Sequence, residues 1–282
     1  MTGETRLVTS PANPAVKLLA SLRLRKFREE TGLFLAEGAR TALEGLAAGA
    51  VPAQLAYVPG TADRKAVQTL RRACLAAGGT CLEVTADILA RITRKENPQT
   101  VVAAYAWRRR SLAELDPAAG DLFVALDRVR DPGNLGTVMR TADAVAAAGL
   151  LLIGDTCDPW SVEAVRASMG SVFNLPVFAG SEAEFIALAA RWPGQVAGTS
   201  PRGSTHYRKF TYRPPVLAVM GNEQAGITQA IADACTAVVS IPIFGRPDSL
   251  NLAVATGVFL YGVRESLAAA PQFASFSSSA SQ

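Results

Sequence analysis

Apolar positions along this chain follow two rhythms. Between Asn13 and about Gly49 the spacing is helical: Val16, Leu18, Leu19 and Leu22 alternate with Lys17, Arg23, Arg25, Lys26 and Arg28. Phe34-Leu-Ala-Glu37 then opens a second predicted helix, which runs to Leu46. Short apolar runs at 54–58, 80–84 and 101–105 predict strands, with a helix over 62–77. Together they predict an α/β domain over 1–107, followed by a polar linker at 108–120. From Asp121 onward strands alternate with helices. Strands are predicted at 121–127, 149–153, 175–178, 195–199, 215–220 and 236–243, and helices at 134–148, 161–170, 181–191, 225–234 and about 249–268. Such alternation builds a parallel sheet covered on both faces. The expected fold class is α/β: a parallel-sheet domain over 121–268 behind a smaller α/β domain, with a Ser-rich disordered tail at 269–282.

Composition narrows the chemistry. The 282 residues are 49% hydrophobic, ample for packed cores. No apolar run reaches the ~18 to 20 residues of a membrane span, and the polar N-terminus has no signal-peptide core. Cys74, Cys81, Cys157 and Cys235 show neither a C-x-x-C pair nor metal-ligand spacing, which fits reduced thiols in a cytoplasmic protein. The single histidine, His206, excludes a multi-histidine metal site, so no metal is expected. Set among Arg202, Tyr207, Arg208 and Lys209, it reads as a solvated or RNA-facing ring. The net charge of +4 hides an asymmetry: residues 1–110 carry +8 and the remainder −4. A basic first part fits a polyanion-binding module or an ordinary basic surface.

Three polar, glycine-containing segments carry the functional argument, each between an apolar run and a helix: Asp131–Arg140, Gly221–Gly226 and Ile241–Asn251. Open α/β sheets place their ligands at such turns. Gly221-Asn-Glu-Gln-Ala-Gly226 has the glycine spacing of a P-loop, but Ile227 stands where the phosphate-binding lysine belongs. Gly133-Asn-Leu-Gly136 lacks the third glycine of a dinucleotide turn and a ribose-binding acid about twenty positions on. Both phosphate-cofactor classes are therefore set aside. Pro132-Gly133 predicts a tight turn, Asn134 a cap for the next helix, and Arg140 a fixed cation near that helix's start, where phosphate is attracted. A salt bridge from Arg140 to Asp143 or Asp127 is the alternative. Asp248-Ser249 reads as an N-cap for the last helix, and Glu223 adds an acid to the second segment.

Asp131-Pro-Gly-Asn-Leu-Gly-Thr-Val-Met-Arg-Thr-Ala-Asp143, Val219-Met-Gly-Asn-Glu-Gln-Ala-Gly226 and Ile241-Pro-Ile…Ser249-Leu-Asn-Leu-Ala253 resemble the three ordered motifs of SpoU/TrmH-type RNA methyltransferases, in the SPOUT superfamily. Val165-Arg-Ala-Ser-Met-Gly-Ser171 resembles the family's stretch between its first two motifs, and the first part resembles the substrate-binding domain of rRNA-directed members. The resemblance implies S-adenosylmethionine (SAM) as methyl donor, an RNA ribose 2′-hydroxyl as acceptor, a deep C-terminal trefoil knot and a homodimer with both subunits near each site. It assigns Gly221, Ile241 and Leu250, and more weakly Thr199, to the cofactor, and Asn134, Arg140, Glu223, Ser249 and Asn251 to catalysis and RNA contact. Lys17, Arg23, Arg25, Lys26 and Arg28 would hold RNA phosphates. Tyr261-Gly262 departs from the pattern, since relatives often carry an acid after the aromatic. Three rivals remain: a non-catalytic RNA-binding or ribosome-assembly protein on the same fold, an enzyme that keeps the knot and cofactor but modifies a base, and a methyltransferase acting on tRNA.

Overall fold

The structure, a computed structural model, describes residues 3–269; most of the tail predicted at 269–282 lies outside the described residues. In chain order the first elements are β1 (Glu4–Val8), α1 (Pro14–Ser21), α2 (Arg25–Thr31), β2 (Leu33–Glu37), α3 (Ala39–Ala47), β3 (Gln54–Tyr57), α4 (Lys65–Ala76), β4 (Thr80–Val84), α5 (Ala86–Thr93) and β5 (Val101–Ala106). There follow β6 (Arg110–Ser111), β7 (Leu122–Asp127), α6 (Pro132–Ala144), β8 (Leu150–Ile153), α7 (Val162–Ser168), β9 (Val177–Gly180) and α8 (Glu182–Ala189). The chain continues through β10 (Gln195–Thr199), β11 (Thr205–His206), β12 (Val216–Met220), α9 (Gln229–Ala234), β13 (Ala237–Ser240) and α10 (Leu252–Ala269). They gather into two units, Met1–Arg108 with Asp158–Asn174, and Arg109–Cys157 with Leu175–Gln282.

The first unit holds a five-stranded sheet in the order β1-β4-β3-β5-β2. Its first three strands are parallel, and β5 runs antiparallel to both β3 and β2. Phe34-Leu-Ala-Glu37, expected to open a helix, forms β2 instead. Phe34, Leu35 and Ala36 are all buried, and they pair with Tyr105, Ala104 and Ala103. A short continuous apolar run has no period to separate a buried strand from a buried helix. Gly38, at φ 93°, then turns the chain into α3.

Residues 158–174 also depart from expectation. Strand–helix alternation placed this helix in the parallel-sheet domain, but it belongs to the first unit. Asp158 accepts from Nε and Nη2 of Arg28 at 3.0 and 2.5 Å. Trp160 stacks on Trp107 with ring centroids 4.0 Å apart, and Phe173 meets Tyr105 edge-on at 4.8 Å. Val162 joins the core formed by Leu19, Leu35, Leu82 and Leu89. Alternation says that a helix covers a sheet, not which one.

The second unit is an eight-stranded, all-parallel sheet in the order β11-β13-β10-β12-β7-β8-β9-β6. Residues 108–120 are not a free linker. Arg110 and Ser111 pair with β9 at the sheet edge, and Leu112 and Leu115 enter the core. Every residue of β7 and β12 is buried, as central strands of a doubly covered sheet must be. The strand order reverses between these two: the chain leaves β7 toward β8 and β9, then returns through β10, β12 and β13 on the other side. Loops at the carboxyl ends of β7 and β12 therefore lie side by side at the switch point, where such sheets form a crevice. α10 has the length and composition of a membrane span, with a mean hydropathy of 1.2. It packs against α6 and buries Phe259, Leu260 and Val263, as a core helix does.

Candidate functional site

The loop after β7 enters α6 through Asp131, not Asn134. The Asp131 carboxylate accepts from the Asn134 backbone N–H at 2.6 Å, so Asp131 is the cap. Asn134, three positions on, has its side chain free for other work. Its Nδ2 donates to Glu223 Oε1 at 3.3 Å, and its Oδ1 accepts from Asn251 Nδ2 at 2.9 Å. Residues from all three motif segments are thus joined by one hydrogen-bond chain, Glu223–Asn134–Asn251. The last helix is capped two residues later than expected: Asn251 Oδ1 accepts from the N–H groups of Ala253 (2.9 Å) and Val254 (3.3 Å). Ser249 is released from the capping role and sits exposed in the preceding loop.

The loop after β12 is a tight, self-bonded turn. Asn222 and Gly226 exchange backbone hydrogen bonds at 3.1 and 3.0 Å, and Asn222 Oδ1 accepts from the N–H groups of Gln224 and Ala225. Gly221 permits this closure, since a Cβ there would lie 2.2 Å from the backbone of Gly226 and Ile227. Glu223 Oε1 and Oε2 accept weakly from the Asp131 and Arg130 N–H groups, at 3.3 and 3.4 Å. This carboxylate ties the second motif loop to the first.

Beside these loops lies a cleft of about 790 Å³, within the ~300 to 1,000 Å³ usual for small-molecule sites. Thr199, Gly221, Glu223, Ile241, Ser249 and Leu250, all expected at the site, line it. Met220, Ile227, Val238, Ile243 and Leu252 complete an apolar wall, and Arg202 and Asp248 bring charge. Of this second group, Ile243 was signalled by the Ile-Pro-Ile run, whereas Met220, Val238 and Leu252 are ordinary strand or helix residues in the sequence. The Thr199 hydroxyl donates to the Val219 carbonyl at 3.2 Å, so it is part of the wall. Cys235, near Gly198 behind the cleft, has its pKa pushed up to about 12 by burial and remains a neutral thiol. Arg140 stands apart: it is exposed on α6, outside the cleft lining, and makes no hydrogen bond or ion pair with the described residues. Neither Asp127 nor Asp143 takes it; Asp127 is held by Arg128. His206 accepts from the Arg208 N–H through Nδ1 at 3.1 Å and stacks on Tyr207, which makes it part of a turn.

The cations expected to hold RNA fare differently. Arg28 is 3% exposed and its guanidinium is taken by Asp158 and the Leu22 carbonyl. Arg23 binds Glu37 and the Thr93 carbonyl. Both are structural, which corrects the expectation for these two. Arg25 and Lys26 pair with Glu29 and Glu30 one turn along α2, and Lys17 is exposed without a partner among the described residues.

Residues 121–261 match the SpoU rRNA Methylase family, and residues 13–103 match the MRM3-like substrate binding domain. A 23S rRNA (guanosine(2553)-2′-O)-methyltransferase of Bacillus subtilis is 27% identical over 91% of this chain and 98% of its own length. An AdoMet-bound rRNA methyltransferase from Sinorhizobium meliloti is 42% identical, with a TM-score of 0.86 over 94% of this chain and 99% of that one. The SpoU methyltransferase AviRb of Streptomyces viridochromogenes in complex with AdoMet is 29% identical, with a TM-score of 0.81 over 91% and 99% of the two chains.

Proposed function

The chain belongs to the SpoU rRNA methylase family, and from that premise we propose how its residues divide the work of a SAM-dependent methyl transfer to ribosomal RNA. The enzyme carries a methyl group from SAM to a ribose 2′-hydroxyl. The observation that carries the assignment of roles is the Glu223–Asn134–Asn251 chain, which joins the two motif loops lining the cleft to the first motif loop beside it.

The cleft suits the cofactor. Apolar side chains of Met220, Ile227, Ile241, Ile243 and Leu250 offer a slot for a planar base and a thioether-like chain, and Glu223 and Asp248 offer carboxylates to its cationic groups. Gly221, Ile241 and Leu250 are assigned to it, with Thr199 shaping its floor. When bound, SAM supplies an electrophilic methyl on a sulfonium. The protein then has to present a hydroxyl in line with that methyl, so positioning is the main catalytic device. Asn134, Ser249 and Asn251 orient the ribose. Glu223, whose oxygens face Asn134 and the Arg130 and Asp131 N–H groups, is a positioning group.

A guanidinium does not act as a base at neutral pH. Arg140 therefore binds the RNA phosphate next to the target ribose and stabilises charge developing on the attacking oxygen, with that phosphate as proton acceptor. Its position outside the cleft of a single chain fits a homodimer in which a second copy completes each site. α10 exposes Val254, Val258 and Tyr261 at helical spacing, the apolar face such a dimer needs. The trefoil knot is part of the same reading. It is supported by the β10–β12 connection lying over α10, where a Cβ on Gly262 would meet the Tyr207 ring at 2.5 Å and Tyr212 faces Phe259. A ribosomal RNA substrate supports a cytoplasmic location for the enzyme. Comparison of 2′-O-methylation across total RNA from cells with and without the gene tests the assignment: one ribose in rRNA should lose its methyl. Loss confined to a tRNA would redirect it.

A further inference from the structure

We propose that Arg128 is a positioning residue for the cofactor: from behind the cleft it fixes the Gly221–Gly226 turn in its binding conformation without lining the site. The proposal rests on reading that cleft as the SAM site. Arg128 follows the last residue of β7 at φ 51°, a left-handed conformation that side chains other than glycine rarely adopt. In that conformation its guanidinium folds back on Asp127, with Nε on Oδ1 at 2.8 Å and Nη2 on Oδ2 at 2.9 Å. Nη2 also donates to the Gly226 carbonyl at 3.2 Å, while the Arg128 carbonyl accepts from Asn222 Nδ2 at 2.8 Å.

Both ends of the turn are thereby tied to one residue. Asp127, 1% exposed, adds a third tie by accepting from the Thr228 N–H at 3.2 Å. Thr228 in turn caps α9 and donates its hydroxyl to Glu182. The stem of Arg128 runs close over Gly154, where a Cβ would approach its Cγ to 3.3 Å. No part of this side chain is needed to complete the hydrophobic core. What the left-handed backbone gains is a planar fork aimed at two acceptors, the carboxylate at the end of β7 and the Gly226 carbonyl of the turn, a geometry lysine cannot reproduce.

The test uses the full chain without RNA. SAM affinity by calorimetry is measured for wild type, Arg128→Lys, Arg128→Gly and the double variant Asp127→Asn/Arg128→Gly, alongside amide exchange at Asn222 and Gly226 and the melting temperature. Glycine relieves the left-handed backbone, and the double variant also avoids leaving a buried carboxylate unpaired. We expect both glycine variants to bind SAM about tenfold more weakly, and Arg128→Lys to fall between them and wild type. Exchange at Asn222 and Gly226 should quicken while the β7 amides stay protected. Wild-type affinity in the double variant would overturn the proposal, as would weaker binding that tracks a lower melting temperature with no change in turn exchange. If wild type itself fails to bind millimolar SAM, the cofactor reading fails; the exchange data then still report whether Arg128 holds the turn.

Discussion

The first unit satisfies most of its candidate RNA-binding charges internally, and the second leaves its candidate, Arg140, open. Arg28, Arg23 and Lys95 are directed at Asp158, Glu37 and backbone carbonyls, and Arg25 and Lys26 at glutamates one turn away. In the second unit Arg140 faces solvent with no partner among the described residues. A structural cation gains stability from being matched, whereas a cation meant for RNA must wait for its counter-ion. The +8 charge of residues 1–110 is already net of Glu29, Glu30 and Glu37, and the pairing of Arg28 with Asp158, outside that range, takes up one unit more.

The largest expected effect breaks the structural side of that contrast. Arg28→Ala leaves Asp158 charged and nearly buried, which should cost about 3 to 5 kcal/mol of stability in denaturant unfolding. Replacing both partners by apolar residues, Arg28→Met with Asp158→Leu, should recover most of the loss. If Arg28 contributed mainly through RNA, Arg28→Ala would instead unfold at the wild-type midpoint and lose RNA affinity. Deleting residues 1–110 cannot separate these roles, because residues 158–174 would lose the unit they complete.

Arg140→Ala probes the open side. Removal of a group that stabilises transition-state charge typically costs about 10²- to 10³-fold in rate. Single-turnover methyl transfer should fall by that amount while SAM affinity and the melting temperature hold. Near-wild-type turnover would remove Arg140 from the chemistry.

How much of this could be read beforehand depended on whether the signal was local. The three motif loops are contiguous segments of strong composition, and alternation sufficed for a parallel sheet, so their meeting at the carboxyl ends of β7, β12 and β13 was legible. Caps were off by a few residues: Asp131 and Asn251 displaced Asn134 and Ser249, because several neighbouring Asp, Asn and Ser side chains can all cap. Partnerships across long separations were not legible. Nothing near Arg28 in sequence announces Asp158, 130 residues away, and nothing near Phe34 reveals that its run pairs with β5. Arg128 was invisible for a related reason, since its role follows from a backbone angle.

The Asn134–Asn251 bond gives a smaller test. Asn251→Ala removes both the cap of α10 and the link to Asn134, and caps are worth about 1 kcal/mol. Asn251→Asp keeps the cap oxygen but loses the donor to Asn134. It should therefore retain most of the stability and still lower the methyl-transfer rate. A wild-type methyl-transfer rate in Asn251→Asp would reduce Asn251 to a structural cap.

The smallest effect bears directly on which cations are open. Each phosphate contact contributes about 0.7 to 0.9 to the slope of log K against log salt. Lys17→Gln should lower the slope of rRNA-fragment binding by about that amount, because Lys17 has no partner to leave among the described residues. Arg25→Gln and Lys26→Gln should leave the slope nearly unchanged and cost only about 0.3 to 0.5 kcal/mol each in stability, the usual worth of an exposed pair one turn apart. A fall of about two units in the Arg25→Gln/Lys26→Gln double variant would mean that RNA displaces Glu29 and Glu30 on binding, and the division between matched and waiting charges would then have to be redrawn along α2.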